Sequence, residues 1–349
     1  MSDYTPSKNI LLIGSTSSLG KDLKFVFEKS GHKVLSPSSK ELDITSLESV
    51  VSYFSNIGVT LHRVINLARY SKYSAEDFDS LMVQGVSYIC SWCKQMGVVY
   101  GHLSSDQVFS GNHLGRYLEQ SSTDPITRFG GVSAQAESLI SSIFEDSGRF
   151  FIFRVSWLFS ENPCCDNQTD LIVSLKDYAQ GKSSITVPSN VYGNPTNTKI
   201  AAMEIEKVLH TFETNQYGIY HIIPFDFCSL YDFSVKLFGD SIEILPYEAN
   251  SVTDFQPIEN TFNNSTLNPT RVPGNNVKYG SLNCLSWKTH LKCFLENSLD
   301  AIPDVDLIPC DVPLVEGGLD LNSILADLKN FSGESFQIFW GNHTLRCPH

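Results

Sequence analysis

The chain has 349 residues, 42% hydrophobic and 18% charged, enough for a large α/β core as one unit or as a domain with a smaller partner. A formal charge of −13 argues against a surface that grips a nucleic-acid backbone, while leaving room for one local pocket for a phosphorylated ligand. No apolar run approaches the roughly 18 residues of a membrane span, and the opening MSDYTPSKN lacks a signal-type apolar region, so a cytoplasmic protein with no membrane partner is expected.

In chain order, NILLIG reads as a buried strand ending in glycine. A helix follows from about Leu19, with Leu23, Phe25, Val26 and Phe27 on or beside its inner face and Gly31 as its stop. KVL is a short strand, SLESVVSYFSN a helix opened by Thr45 or Ser46, and RVINLA a third strand. The apolar-periodic segment around Cys90 and Cys93 predicts a helix, in which the C-x-x-C spacing reads as two half-buried helix residues and not as a redox pair. VVYGHLSS is a fourth strand, AQAESLISSIF a helix, and RFFIFRVSWLF a strand apolar enough to need cover on both faces. This alternation predicts an α/β fold with a doubly wound parallel sheet, whose ligands bind outside the carboxyl ends of the strands. Gly14, Asn66, Ser104–Asp106 and Arg154–Trp157 converge there.

Beyond Trp157 the regularity falls off, and further helices, a strand at GIYHII and the loop-rich stretch 246–283 suggest a smaller lobe. The expected division is a Rossmann-type domain over 1–160, with parts of 185–215 returning to it, a lobe over 161–300, and an extension over 301–349. His343, Cys347 and His349 with Cys310 fit no closed zinc spacing, so no metal is expected and a loosely ordered tail is. The aromatic residues Phe336, Phe339 and Trp340 are expected to dock that tail onto the body, a partner protein or a second copy of the chain.

A nucleotide-binding turn needs glycines where the backbone bends sharply and approaches a pyrophosphate at a helix start. GSTSSLG keeps Gly14 and Gly20, but Ser17 stands where the G-x-x-G-x-x-G variant has its middle glycine. A strand-to-helix turn that binds nothing is the competing reading. Arg154, at the end of an apolar strand, is either half of a buried ion pair or a phosphate contact.

Several stretches taken in order resemble the dTDP-4-dehydrorhamnose reductases, extended short-chain dehydrogenase/reductases acting on nucleotide sugars. They are HLSSDQVFSG, YLEQSSTDPITRFGG, FRVSWLFS, VPSNVYGNPTNTKIAA, GIYHI and NNSTLNPTRV, and the likeness runs from about residue 9 to 298. The resemblance implies a Rossmann-type domain that binds NADPH or NADH and a carboxy-terminal lobe that holds a dTDP-sugar. It places Gly14, Ser17, Ser18, Leu19, Gly20, Asn66 and Ala68 beside the cofactor. Asp43 falls near the adenine side, though a helix-start role ahead of Ser46 fits equally. Gln107, Trp157, Tyr192, Pro195 and Thr196 fall on the substrate side.

The family reduces a keto sugar with a Ser/Thr, Tyr and Lys set, since hydride delivery to a carbonyl leaves an alkoxide that an acid must protonate. A neighbouring ammonium is what brings a tyrosine pKa of about 10 towards neutrality. Ser105 matches the hydroxyl and Asp106 the acid beside it, but Phe129 falls on the Tyr and Ser133 on the Lys. Glu137 matches a family glutamate one turn further, while Gln107 and Arg69 replace an aromatic and a small residue. Hydride transfer is therefore expected to be lost and binding or regulation kept. The alternative is an active reductase with a rearranged acid, either Asp106 or one of Tyr70, Tyr73, Tyr117 and Tyr192.

Overall fold

A computed structural model describes residues 7–68, 80–111, 117–164, 170–210, 217–224, 226–249, 285–299, 337–340 and 343–346. Arg69, Tyr70, Tyr73, the stretch 251–284 and most of the tail lie outside the described residues.

Strand β1 (Asn9–Ile13) leads into helix α1 (Ser18–Lys29), then β2 (Lys33–Leu35), α2 (Leu47–Asn56) and β3 (Arg63–Asn66). A π-helical turn, Ser80–Gly85, runs into α3 (Val86–Met96), followed by β4 (Val99–Ser105), α4 (Arg128–Ile143) and β5 (Phe150–Val155). The pairs β6 (Leu158–Phe159), β8 (Tyr192–Gly193) and β9 (Thr196–Asn197) are short. Between and after them lie α5 (Leu171–Ala179), β7 (Ser184–Pro188), α6 (Thr198–His210) and β10 (Gly218–His221). Then come β11 (Cys228–Ser229), α7 (Leu230–Phe238), β12 (Glu243–Tyr247) and α8 (Trp287–Glu296). In the tail, the backbone of β13 (Gln337–Trp340) pairs antiparallel with β14 (His343–Arg346), a hairpin where sequence suggests a loose end.

The central sheet is parallel throughout, in the order β10-β5-β4-β3-β1-β2. Its alternating residues feed two cores. Ile10, Leu12 and Phe153 face Leu23 and Phe27 of α1 and Ile205 of α6. Leu11, Ile13 and Ile152 face Phe54, Ile89 and Ile140 on the other side. Burial on both faces is why these strands read as continuous apolar runs.

Phe25 departs from expectation, at 64% exposed. Leu19, Leu23 and Phe27 share one face at four-residue spacing, and a residue two positions from Leu23 points the opposite way. Cys90 and Cys93 are fully buried and not half-buried, and burial pushes both thiols well above their ordinary range. The apolar run after Arg149 is not one strand but two, because Trp157 sits at φ 42° between β5 and β6. A third cluster forms from Trp157 and Phe159 with Leu175, Val187, Phe233 and Trp287, and it underlies the segments after β5. Among the described residues, no helix is long and apolar enough to cross a membrane.

Candidate functional site

The carboxyl ends of β1, β3, β4 and β5 lie side by side, with Ile13 opposite Asn66 and Ser105 opposite Val155. Gly14 leaves β1 at φ +80°, and a Cβ there would stand 2.9 Å from the backbone carbon of Leu67. Gly20 has no room for a side chain either, because its Cβ would lie 2.3 Å from the Gly14 carbonyl oxygen. Both glycines are thus required to close the turn, whatever the turn binds.

Ser17 supplies the N-cap of α1. Its Oγ accepts from the Gly20 amide at 3.1 Å and donates to the Gly14 carbonyl at 2.8 Å. That amide belongs to the set a bound pyrophosphate would use. The Ser18 Oγ accepts from the Cys164 amide at 3.1 Å, tying the loop after β6 across the turn. Leu19 is buried in the core. Asn66 holds the end of β3, accepting from the Ala68 amide at 3.0 Å and donating to the Tyr100 hydroxyl at 3.1 Å. Asp43 accepts from the Thr45 amide and hydroxyl at 2.9 and 2.7 Å, and Ser46 caps α2, a geometry that matches the helix-start reading.

The second half of the site is a chain of hydrogen bonds across the strand ends. The Ser105 Oγ donates to Asp106 Oδ1 at 2.8 Å, and the Ser156 Oγ donates to Asp106 Oδ2 at 2.8 Å. Ser156 in turn accepts from the Asn194 amide at 3.3 Å, and the Asn194 side chain donates to the Asp226 carbonyl at 2.9 Å. The Asp226 carboxylate anchors α8 by accepting from the Ser286 hydroxyl and the Trp287 amide, both at 2.7 Å. Burial raises the Asp226 pKa to about 6, against the lowering effect of those two donors.

Among the residues that the resemblance puts on the substrate side, the Thr196 Oγ1 donates to the Asn194 carbonyl at 2.8 Å, and its amide donates to the Trp157 carbonyl at 3.1 Å. Trp157 lies flat against Gly193, where a Cβ would stand 2.1 Å from the indole. Pro195 is buried, and Tyr192 meets Phe227 edge-on at 6.0 Å. Tyr117 stacks on Phe109 at 4.2 Å with its hydroxyl 3.2 Å from Ser110 Oγ.

Helix α4 begins directly against the Asp106 turn. Thr127 caps it and donates to Gln107 Oε1 at 3.1 Å, while a Cβ on Gly130 would collide with the Gln107 carbonyl at 1.9 Å. Phe129 packs with Met82, Val83 and Val132 in an apolar patch between the π-helical turn and α4. Ser133, one turn on, is 1% exposed, and its hydroxyl has no hydrogen-bond partner. One further turn on, Glu137 accepts from Arg154 through Nε at 2.9 Å and Nη2 at 2.6 Å, and also from the Ser104 hydroxyl. Arg154 also donates to the Glu119 carbonyl at 3.2 Å and lies 4.9 Å over the Phe109 ring. Arg154 is therefore half of a buried ion pair that ties β5 to α4.

The structure thus joins Ser105, Asp106, Gln107, Trp157 and Thr196 at one end of the sheet, with Gly14, Ser17, Ser18, Asn66 and Ala68 beside them. Asp43 takes part in its own turn before α2. Ser156 lies inside the Arg154–Trp157 stretch and Asn194 inside the quoted VPSNVYGNPTNTKIAA, though neither was given a role there, whereas Asp226 carries no local signal.

A family model described as the RmlD substrate binding domain matches residues 8–298. The chain belongs to this family, that of the dTDP-4-dehydrorhamnose reductases. A relative of that name from Aggregatibacter actinomycetemcomitans is 26% identical over 279 residues, covering 75% of this chain and 91% of the relative. The spore coat polysaccharide biosynthesis protein SpsK of Bacillus subtilis is 27% identical over 237 residues, covering 66% and 79%. Among solved structures, the Bacillus anthracis dTDP-4-dehydrorhamnose reductase in complex with NADP aligns with a TM-score of 0.68 at 21% identity, over 84% of this chain and 100% of that one. The Clostridium acetobutylicum reductase aligns with a TM-score of 0.69 at 19% identity, over 83% and 99%. These likenesses fix the fold of this RmlD-family chain as Rossmann-like.

Proposed function

We propose that this RmlD-family chain is a binding or regulatory protein that holds a nucleotide sugar, of the dTDP-sugar class its relatives are named for, without transferring hydride. The observation that carries this reading is the packing of Phe129 among Met82, Val83 and Val132 with Ser133 buried one turn away. At the two places where the family resemblance puts a proton donor and an ammonium, one side chain is apolar and the other short and uncharged. Losing general acid catalysis alone forfeits about 10²–10⁴ in rate. Asp106 is a poor substitute, because each of its oxygens already accepts from a serine hydroxyl.

The same geometry supports weak dinucleotide binding, since Ser17 and Ser18 direct their hydroxyls at protein groups. NADPH or NADH is the dinucleotide class concerned, by analogy with the NADP held by the Bacillus anthracis protein. In this reading the ligand crevice lies between a Rossmann-type unit over 1–160 and a sugar-nucleotide lobe over 161–300. Residues 301–349, beyond the family match, are assigned to contact with a protein partner or a second copy in the cytoplasm. A second reading, an active reductase with a rearranged acid, is favoured by one observation: the Ser105–Asp106 pair is intact.

A thermal-shift titration with dTDP, dTDP-rhamnose, NADPH and NADH tests the binding claim. A ligand at about 100 times its dissociation constant adds about 2.7 kcal/mol of stability. A rise with the dTDP ligands is expected. No rise with any of the four would contradict a binding function.

A further inference from the structure

A second cluster of chemistry-bearing side chains lies at the opposite edge of the sheet. His32 follows Gly31 in the turn that leads from α1 into β2, while Glu206 and His210 stand one helical turn apart at the end of α6. Because α1 and α6 pack together on one face of the sheet, the three residues meet near the amino-terminal ends of the strands, away from the site described above. His210 Nε2 lies 3.0 Å from Glu206 Oε1, and His32 Nε2 lies 4.0 Å from the same oxygen. One donor atom from each of the three falls within 4.8 Å of the others.

The Glu206–His210 pair by itself would be an ordinary ion pair at four-residue spacing. His32 is not explained in that way. Its side chain is fully buried, and its Nε2 has no hydrogen-bond partner although a carboxylate oxygen stands beyond hydrogen-bonding reach on the same side. A buried nitrogen left in this state costs free energy unless something else satisfies it.

We propose that His32, Glu206 and His210 form a binding site for a divalent cation of the zinc type. Two imidazoles and one carboxylate are a borderline-soft donor set, suited to zinc and its neighbours and unlike the all-oxygen shells of calcium or magnesium. Metal–ligand distances of about 2.0–2.1 Å put tetrahedral donor atoms roughly 3.3 Å apart. The observed separations from Glu206 of 3.0 and 4.0 Å bracket that value, and all three donors lie within 4.8 Å, so closing the site requires His32 to move towards Glu206 and His210. The side chain of His210 is one-third exposed, which leaves a coordination position open to water.

The tautomer fixes what loading does to the apo contacts. His32 Nδ1 accepts from the Lys8 amide at 3.3 Å, so the neutral ring carries its proton on Nε2. A metal at Nε2 moves that proton to Nδ1 and breaks the Lys8 contact, which is long and therefore cheap to lose. Burial, followed by the charge of Arg63, lowers the His32 pKa to about 4 and keeps the ring neutral, the form a metal needs. A bound ion would tie the α1–β2 turn to the end of α6.

The test uses the full chain without a histidine tag, stripped with a chelator and titrated with Co²⁺ and then Zn²⁺. The expected result is saturable binding with visible d–d absorption, no sulfur-to-metal band and a rise in Tm. His210→Ala, at a partly exposed position, and Glu206→Gln, a conservative change, each lower affinity by more than about 100-fold, beyond what losing an outer-shell partner costs. Far-ultraviolet circular dichroism establishes that each variant is folded. The proposal is overturned if the wild-type chain shows no saturable binding, if a sulfur-to-metal band shows the cysteines to be the ligands, or if either variant keeps wild-type affinity.

Discussion

Ser133 stands where the family resemblance puts the lysine, and the proposed loss of hydride transfer rests on it together with Phe129. Ser133 on α4 is itself only 1% exposed, so there is no open space for a lysine side chain. Ser133→Lys is expected to lower stability by several kcal/mol, because an ammonium would be buried without a built counter-charge. Glu137, one turn away, is already committed to Arg154. Chemical denaturation measures this; a variant as stable as the wild type would show a pocket still shaped for the ammonium. The positions of Phe129 and Ser133 were legible in sequence because FGGVS lies at a fixed place in an ordered series of motifs. The contact of the Asn194 amide with the Ser156 hydroxyl was not, since it joins segments 38 residues apart.

At the scale of elements, two buried groups hold the arrangement together. The Glu137–Arg154 pair joins α4 to β5 with both side chains almost fully buried. Glu137→Gln is expected to cost about 3–5 kcal/mol, since it leaves the guanidinium uncompensated. Replacing both residues by methionine should recover most of the loss, and urea melts of the two variants compare the outcomes.

Helix α8 is fastened differently, by His290 Nδ1 accepting from the Asn197 amide at 3.1 Å. Burial lowers the His290 pKa to about 3, from an ordinary value near 6.5. Between those values the unfolded chain takes up a proton and the folded chain does not. The stability His290 contributes is thus present above about pH 6.5 and is lost towards pH 3, at about 1.4 kcal/mol per pH unit. His290→Asn keeps an acceptor but does not titrate, so its Tm deficit relative to wild type should shrink as pH falls from 7 to 4. A constant deficit would contradict the assignment. Asp226 and Asp170, both raised to about 6 chiefly by burial, titrate in the same range but are common to both chains and cancel.

Element type was readable wherever periodicity was strong, and α1, α2 and β4 lie where apolar spacing puts them. Phe25 was misplaced because its apolar character outweighed its helical phase. The break at Trp157 was invisible because it depends on Gly193, far along the chain, leaving room for the indole. The Asp226 cap on α8 spans 60 residues to Ser286 and leaves no trace in either neighbourhood.

For the molecule as a whole, sequence and structure agree on a parallel doubly wound sheet. The order β10-β5-β4-β3-β1-β2 needed the strand β10, which lies well past the regular alternation. Among the described residues, both core faces, the closing glycines and the Ser105–Asp106–Ser156 contacts are in place. The departures that the resemblance implies fall at Ser17 in the β1–α1 turn, at Arg69 after β3, at Gln107 beside Asp106, and at Phe129 and Ser133 at the start of α4.

The most direct measurement is steady-state oxidation of NADPH and NADH by the purified chain with a dTDP-4-keto-6-deoxy sugar. No turnover above the enzyme-free background is expected, with or without Ser105→Ala. Steady oxidation that Ser105→Ala abolishes would contradict it and establish a reductase working without the tyrosine and lysine.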